Sequence, residues 1–509
     1  MKKLLLLLLQ FPLLLSSQST DLKSIDGASI TIAPKDTLRY HLDLKKDEFA
    51  FMEFDQQGAD IVIHVKNPEG KLLMEFDGGN GNQGLELVLI IPSKTGAYQL
   101  DVFPFEEQKK SGQFEFKINK IIKKAKDRAG QLNQLLSFWA GYELIPGFAV
   151  SIFTSDQVLF QKGYGYSNIK DKKPYTIESI QNIGSVSKTL IGISLMKAVE
   201  EGKLSLDDPI NDYLPYEVIN PYFPDEVITI RQLANHTSSI AEMDEYEMTY
   251  LLKEPFSYEK GEITKGEYKE MKYYEKNRPY EMDKFLHALL AKEGELYKKK
   301  NFLKQKPGEK YSYSNAAATL AAHIIELVYN MKYDEFTQEH IIQPLRMNDT
   351  GWSFETIEAS KHSDLHFYNH KVLPKYTLIT YPDGGLLTNV KDLTTYLQAN
   401  MKGFEGKGGI LKTASYQAMM KPSLSNSQQE RKSRNYGVFW AHTGTHIGHN
   451  GGDPGIVCYT RFNPKTGVGR VFLMNMIPNT PLANEMFGAV WGLIGDYGEV
   501  MGREMKKKG

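Results

Sequence analysis

The 509-residue chain carries 61 Lys and Arg against 62 Asp and Glu, a net charge of -1, with 41% apolar and 24% charged residues. These are globular proportions, and the length suggests two or three domains. The charge balance offers nothing to nucleic acid or an anionic membrane, and the single cysteine, Cys458, excludes an intramolecular disulfide or a cysteine metal cluster.

Met1-Lys2-Lys3, the apolar run Leu4 to Leu15 and the small residues of Ser17-Gln18-Ser19 read together as a signal peptide over 1–19. The run is shorter than the ~20 apolar residues a membrane span needs, and no cysteine stands near the cleavage point to carry a lipid. The expectation is an exported protein, periplasmic or extracellular, with no integral membrane span once the leader is cut. From 20 to 120 the pattern is strand throughout: Ser29 to Ile32, Leu38 to Leu44, Phe49 to Phe54, Asp60 to Val65, Leu72 to Phe76, Leu85 to Ile91 and Gln113 to Ile118 are short apolar or alternating runs. Turn residues such as Asn67-Pro68-Glu69-Gly70 divide them, which predicts an accessory β-sandwich without chemistry of its own.

A second domain is expected over 121–509. Leu132, Leu135, Leu136 and Trp139 make a helical stripe, Ile145-Pro146-Gly147 ends it, and Phe148 to Phe153 is a strand with Val158-Leu159-Phe160 pairing back. Gly163-Tyr164-Gly165 reads as a turn. Segment 244–306, rich in Glu, Lys and Tyr, reads as a solvated helical insertion, with a lid as the functional alternative. Tyr311 to Asn315 leads into a helix, Asp383 to Asn389 precedes another, and Gly448 to Gly455 leads into a late strand hairpin. Helix, hairpin and helix in this order indicate an α+β class.

The chemistry gathers at Ser185. Leu190, Ile191, Ile193, Leu195, Met196 and Val199 recur at helical spacing; Ser185 precedes them at an N-cap-like position and Gly202 closes the run. Ser185 and Lys188, three apart, share a helix face. A serine hydroxyl needs a base to become a nucleophile, and a desolvated lysine can be neutral enough to serve. The helix start adds N–H groups that favour an oxyanion. Ser167 and Ser257 are also followed by lysine three residues on, but neither introduces a buried helix. His442, His446 and His449, or His362, His366 and His370, could be read as metal ligands, yet no carboxylate or cysteine recurs at ligand spacing. No metal and no organic cofactor is expected.

Ser185-x-x-Lys188, then Tyr313-x-Asn315, then His449-x-Gly451, in that order, resemble the serine β-lactamase and penicillin-binding-protein superfamily, most closely its class C and esterase-type branch. Ile145-Pro146-Gly147, Gly163-Tyr164-Gly165, Thr229-Ile230-Arg231-Gln232-Leu233 and Gly384-Gly385-Leu386 extend the resemblance from about Leu132 to Ile494. It implies an antiparallel sheet flanked by helices, Ser185 as the acylated nucleophile, and Lys188 with Tyr313 as the proton relay. It also implies Asn315 as a substrate ligand that holds Lys188 in place, the N–H groups of Ser185 and Gly452 as the oxyanion hole, and His449 and Gly451 beside the substrate. Lys465-Thr466-Gly467 spells the alternative third motif but lies in a hairpin turn. His236-Thr237-Ser238-Ser239 ends in serine where the family usually has glycine.

The implied function is hydrolysis of a small-molecule ester, peptide or amide. Class C-type β-lactamase, DD-peptidase, or a catalytically silent peptidoglycan- or peptide-binding protein are the alternatives. A third-motif lysine would offer a substrate carboxylate a permanent charge. His449, with an unperturbed pKa of ~6.5, offers little at neutral pH. Neutral substrates are therefore expected to be preferred, with turnover of anionic ones rising as pH falls towards His449 protonation.

Overall fold

The computed structural model describes residues 19–507 except Glu107 and Ser433. All of the leader expected over 1–19 but Ser19 lies outside the described residues. The chain divides into two compact units. One comprises residues up to Gln134 together with Thr480–Glu485, the other Leu135–Asn479 with Met486 onwards. The first division falls beyond the expected 120, because strand Gly112–Lys123 and the opening turns of helix Arg128–Ala140 continue past it.

In the smaller unit, a five-stranded sheet runs Thr20–Asp21, Leu38–Leu44, Gly96–Pro104, Ile61–Lys66, Leu72–Phe76, and a four-stranded sheet runs Ser29–Ile32, Gly112–Lys123, Glu48–Gln57, Gln83–Ile90. Leu42, Ile63 and Leu100 from the first meet Phe54, Val88, Phe114 and Phe116 from the second in one core. The strand missed in the sequence is Gly96–Pro104, where Tyr98, Leu100 and Val102 are buried. Their alternation with Gln99 and Asp101 was a period-2 signal.

The larger unit is built on an eight-stranded antiparallel sheet. Its strands are β1 Gly147–Phe153, β2 Val158–Asn168, β3 Lys173–Pro174, β4 Arg434–Tyr436, β5 Ala441–Thr443, β6 His446–Asp453, β7 Ile456–Asn463 and β8 Val468–Met474, ordered β3-β2-β1-β8-β7-β6-β5-β4. Every residue of β1 is buried, as its unbroken apolar run requires of a central strand. Gly163-Tyr164-Gly165 is no turn but the middle of β2; a Cβ on Gly163 would lie 2.2 Å from Tyr175 O, so the glycine marks a close backbone approach. The β7–β8 turn does contain Lys465-Thr466-Gly467, closed by Gly467 N–H donating to Asn463 O at 2.8 Å.

Two helices bear on the site, α1 Lys188–Glu200 and α2 Asn315–Tyr329, while α3 Val390–Phe404 packs on β1 and β8. α1 buries Leu190, Ile191, Ile193 and Leu195, and Gly202 with φ +68° follows its end. Segment 244–306 is not a solvated appendage. Its helix Met282–Leu290 lies where the apolar spacing predicts it, but Tyr246, Tyr250, Met271, Phe285, Leu286 and Leu289 all join the main core. Each such side chain contributes about 1.5–3 kcal/mol of burial. The charges that suggested solvation sit on its outer face. A strand, Tyr250–Leu252, further ties it to Tyr376–Leu378.

Candidate active site

Ser185 is not the N-cap of α1. It lies in a single 3-10 turn, Gly184–Ser187, that feeds into the helix, and Ser187 occupies the cap position. Ser187 Oγ donates to Gly184 O at 2.7 Å and accepts from Leu386 N–H at 3.3 Å, so this neighbour secures the turn. The Ser185 hydroxyl is left for Lys188, whose Nζ lies 3.0 Å from it. Lys188 is fully buried and donates to Asp383 O at 2.6 Å. By contrast, Ser167 donates within its own sheet to Lys173 O and Pro174 O, and Ser257 is exposed in a loop.

Tyr313 arrives from the loop before α2. Lys188 Nζ sits 5.1 Å from the centroid of its ring, and its hydroxyl is buried without a hydrogen-bond partner of ordinary geometry, although Ser185 is close enough to favour the phenolate. Burial outweighs that effect and holds the phenol well above its ordinary value. A tyrosine acting as base would need a lowered pKa; here the lowered group is Lys188, drawn towards its neutral amine by burial against the pull of Asp383, Asp453 and Glu242. Asp383 Oδ1 is 4.0 Å from Lys188 Nζ, worth about 4 kcal/mol at an effective dielectric of about 20. Desolvating the buried ammonium also costs several kcal/mol, and burial is the larger effect, so the amine is drawn towards its neutral form.

His236 supports Tyr313 from behind, with ring centroids 4.3 Å apart. It has φ +60°, its carbonyl accepts from Ser312 N–H at 2.7 Å, and its Nδ1 lies 3.3 Å from Ser314 N. Three residues on, Ser239 has φ +64°. The serine that replaces the usual glycine thus keeps the left-handed backbone that glycine favours. Its hydroxyl accepts from Asn220 Nδ2 at 2.9 Å, which fastens the turn.

Asn315 does not hold Lys188. Its side-chain amide donates to Glu242 Oε1 at 3.1 Å and its backbone N–H to Glu242 Oε2 at 2.9 Å, while Ser314 caps α2 by accepting from Ala317 N–H. Asp383, which opens a phrase noted in the sequence only as a prelude to a helix, takes the supporting role. Its carboxylate accepts from Tyr246 Oη at 2.7 and 2.8 Å and from Thr319 Oγ1 at 2.6 Å.

His449, Gly451 and Gly452 lie within β6 rather than at the mouth of the following strand. β5 covers β6 only over 446–448, so the edge at 449–453 is left for the Ser185 turn. A Cβ on Gly451 would fall 1.9 Å from Ile183 O and 3.2 Å from Ser185 N, and one on Gly184 would fall 2.9 Å from Gly452 N. Only glycine permits this approach. Asp453 follows, pushed up to about 7 by burial despite a 2.6 Å hydrogen bond from Tyr250 Oη. His449 Nδ1 engages Asn450 O at 2.6 Å and its Nε2 is buried without a partner. Burial, aided by Lys188, depresses this imidazole to about 3. It is therefore neutral across the working range, and the expected rise of anionic-substrate turnover on His449 protonation has no source here.

Ser185, Tyr313 and His449 line a cavity of about 460 Å³, with Tyr436, Arg434 and Arg461 among its other walls. Lys188 stands behind it, Gly451 and Gly452 against the serine turn, and Asn315 outside its lining. Among the described residues no group of three or more His, Cys, Asp or Glu could hold a metal ion, and no helix is long and apolar enough to cross a membrane.

Comparison with known proteins agrees with the fold of the larger unit. The beta-lactamase family pattern matches residues 139–491. Protein flp of Staphylococcus aureus strain MW2 is 24% identical over 342 residues, covering 65% of this chain and 60% of that protein. The human mitochondrial serine beta-lactamase-like protein LACTB is 26% identical over 298 residues, covering 51% of this chain and 54% of that protein. The chain thus spans a little over half the length of these curated relatives. The octameric penicillin-binding protein homologue from Pyrococcus abyssi shares the fold with a TM-score of 0.56 at 24% identity, over 71% of this chain and 77% of that one. A penicillin binding protein from Bacillus halodurans does so with a TM-score of 0.52 at 20% identity, over 71% and 98%.

Proposed function

Because the chain belongs to the beta-lactamase family, we propose that it is a serine hydrolase acting through a Ser185 acyl-enzyme on an ester, peptide or amide. The observation that carries the reading is the 3.0 Å approach of a fully buried lysine amine to the Ser185 hydroxyl. Ser185 Oγ attacks the substrate carbonyl carbon as its proton passes to neutral Lys188. The N–H groups of Ser185 and Gly452 receive the oxyanion. As the tetrahedral intermediate collapses, the carbon–leaving group bond breaks, Tyr313 gives its phenolic proton to the departing atom, and the Lys188 ammonium restores it. Water then repeats the sequence on the ester. A tyrosine held in its protonated form suits this donor role better than that of an initial base. The leader-like 1–19 supports export of the enzyme.

A fluorophosphonate probe tests the reading. Wild-type protein should be labelled covalently and Ser185→Ala should not, with an unchanged melting temperature. Labelling that persists in Ser185→Ala would refute the assignment. Nitrocefin turnover above that of a short-chain p-nitrophenyl ester would select the β-lactamase alternative.

A further inference from the structure

Segment 244–306 reaches the site through two tyrosines four residues apart. Tyr246 donates to Asp383, and Tyr250, only 8% exposed, donates to Asp453 Oδ1 at 2.6 Å. Tyr250 is itself fixed in place. Its ring stacks on Tyr274 with centroids 4.6 Å apart, and its backbone pairs with Leu378. Among the described residues it is the one hydrogen-bond donor to the Asp453 carboxyl group.

Asp453 stands where three segments of the site meet. It ends β6, directly after Gly452, whose N–H is one of the two oxyanion donors. A Cβ on Gly184 would fall 3.0 Å from Asp453 Oδ2, so the same carboxyl group touches the turn that carries the other donor, Ser185 N–H. Gly184 has φ +52°, and only glycine lets the turn pass this close. A Cβ on Gly384 would fall 3.2 Å from the same oxygen, next to the Asp383 carbonyl that receives Lys188 Nζ. Tyr376 Oη donates to Pro454 O at 3.1 Å and pins the turn out of β6. Asp453 does not line the Ser185 cavity, so it acts through these neighbours and not on substrate.

The titratable groups that face Asp453 are Lys188 on α1, Asp383, Glu247 of the segment, and Tyr246, Tyr250 and Tyr376. Lys188 is the one cation among them. An ionised Asp453 favours the Lys188 ammonium and a protonated one favours the amine.

We propose that Asp453 is a positioning residue for the Ser185 reaction, seated by Tyr250 of segment 244–306: its carboxyl group holds the two halves of the oxyanion hole together, and its charge sets how readily Lys188 becomes a neutral amine. This rests on the reading of Ser185 as nucleophile. The segment is then neither an appendage nor a lid but part of the wall behind the nucleophile.

Hydrolysis of p-nitrophenyl valerate across the neutral pH range tests both roles. Asp453→Ala removes the carboxyl group. Its kcat should fall about 10- to 100-fold with little change in KM, since a loosened oxyanion hole acts on the transition state and costs less than the about 10²–10³-fold of a lost donor. Asp453→Asn keeps the shape and the acceptor for Tyr250. Its kcat should fall less, and the rising limb of kcat/KM should move to lower pH by about half a unit or more, because the ammonium has lost a favourable charge. Tyr250→Phe should lower kcat in the same sense as Asp453→Ala, and by less. A purely structural role would lower the melting temperature and leave the limb in place. An unchanged kcat in Asp453→Ala, or an unmoved limb in Asp453→Asn, would overturn the proposal. If Asp453→Ala does not fold, Asp453→Asn and Tyr250→Phe decide it. If the ester is not turned over but a fluorophosphonate labels Ser185, the labelling rate replaces turnover in each comparison. If neither occurs, the nucleophile reading fails, and the link from Asp453 to Lys188 is judged separately by NMR titration of isotope-labelled lysine side chains, with Lys188→Met to assign the signal. A Lys188 pKa lowered in Asp453→Asn supports the link, and an unchanged one refutes it.

Discussion

Ser185 stands between two regions of opposite charge whose internal wiring differs. On the Lys188 side, each carboxylate has donors within the protein: Tyr246 and Thr319 for Asp383, Tyr250 for Asp453, and Asn315 for Glu242. On the other side, Arg434 and Arg461 face a cavity without an acidic partner among the described residues. A closed network can set the protonation of the groups inside it. If Ser185 is the nucleophile, the first region is the one that governs proton transfer.

The sharpest way to break this division is Lys188→Met. If the closed side runs the chemistry, kcat should fall by about 10²–10⁴-fold, the scale of a lost general base, for neutral and anionic esters alike. A loss confined to anionic esters would show that Lys188 serves binding instead. Tyr313→Phe should also cost about 10²-fold or more, and less for substrates with a good leaving group such as p-nitrophenolate than for amides. An equal loss on both would remove Tyr313 from the donor role.

Asp383→Asn separates charge from shape. The carboxylate favours the Lys188 ammonium, so its neutralisation should lower the lysine pKa further. More amine is then neutral at a given pH, and the rising limb of the kcat/KM profile should move to lower pH by about one unit, a change of about 1.4 kcal/mol. A shift to higher pH would contradict the electrostatic account.

Tyr250→Phe probes the insertion's tie to the site through stability. Asp453 titrates near 7 in the folded chain, above the ordinary carboxylate value. The folded state therefore holds a proton that the unfolded state has lost between about pH 4 and 7, and stability falls as pH rises through that window. The Tyr250 hydrogen bond favours the ionised form, so removing it should cost about 1–2 kcal/mol, with the larger fall in melting temperature at pH 8 than at pH 5. Equal falls at the two pH values would mean that Asp453 is protonated throughout, and the reverse order would contradict a bond that favours the ionised form. Smallest of all, Ser239→Gly should change stability by no more than about 0.5 kcal/mol, since relief of the left-handed backbone is offset by a lost hydrogen bond and a freer unfolded chain.

Much of the fold was legible. Ser29–Ile32, Leu38–Leu44 and Leu72–Phe76 start and stop where their runs of apolar residues do. Local periodicity failed at Gly163-Tyr164-Gly165, because glycines forced by a backbone at close range resemble glycines at a turn. It failed again over 244–306, where a charged outer face hid the buried tyrosines. In the site, Ser185, Lys188, Tyr313 and His449 could be found because their motifs are short in sequence and in space. Glu242 and Arg461 carried no local mark, and the phrases that hold His236 and Asp383 gave no sign of their contacts. Each is defined by what it meets from a distant segment, and Asn315 was assigned to the wrong partner for the same reason.

By itself the sequence determined the α+β class, the strand-rich N-terminal region, the helix that presents Lys188 beneath Ser185, and the order of the three motifs, since these depend on spacing within a single element. Tertiary structure decided the rest. Burial, which no local pattern states, holds Tyr313 protonated, pushes Lys188 towards its neutral amine and keeps His449 uncharged. Strand register, set by pairings across the sheet, brings Arg461 opposite Arg470 and past two small residues into the Ser185 cavity.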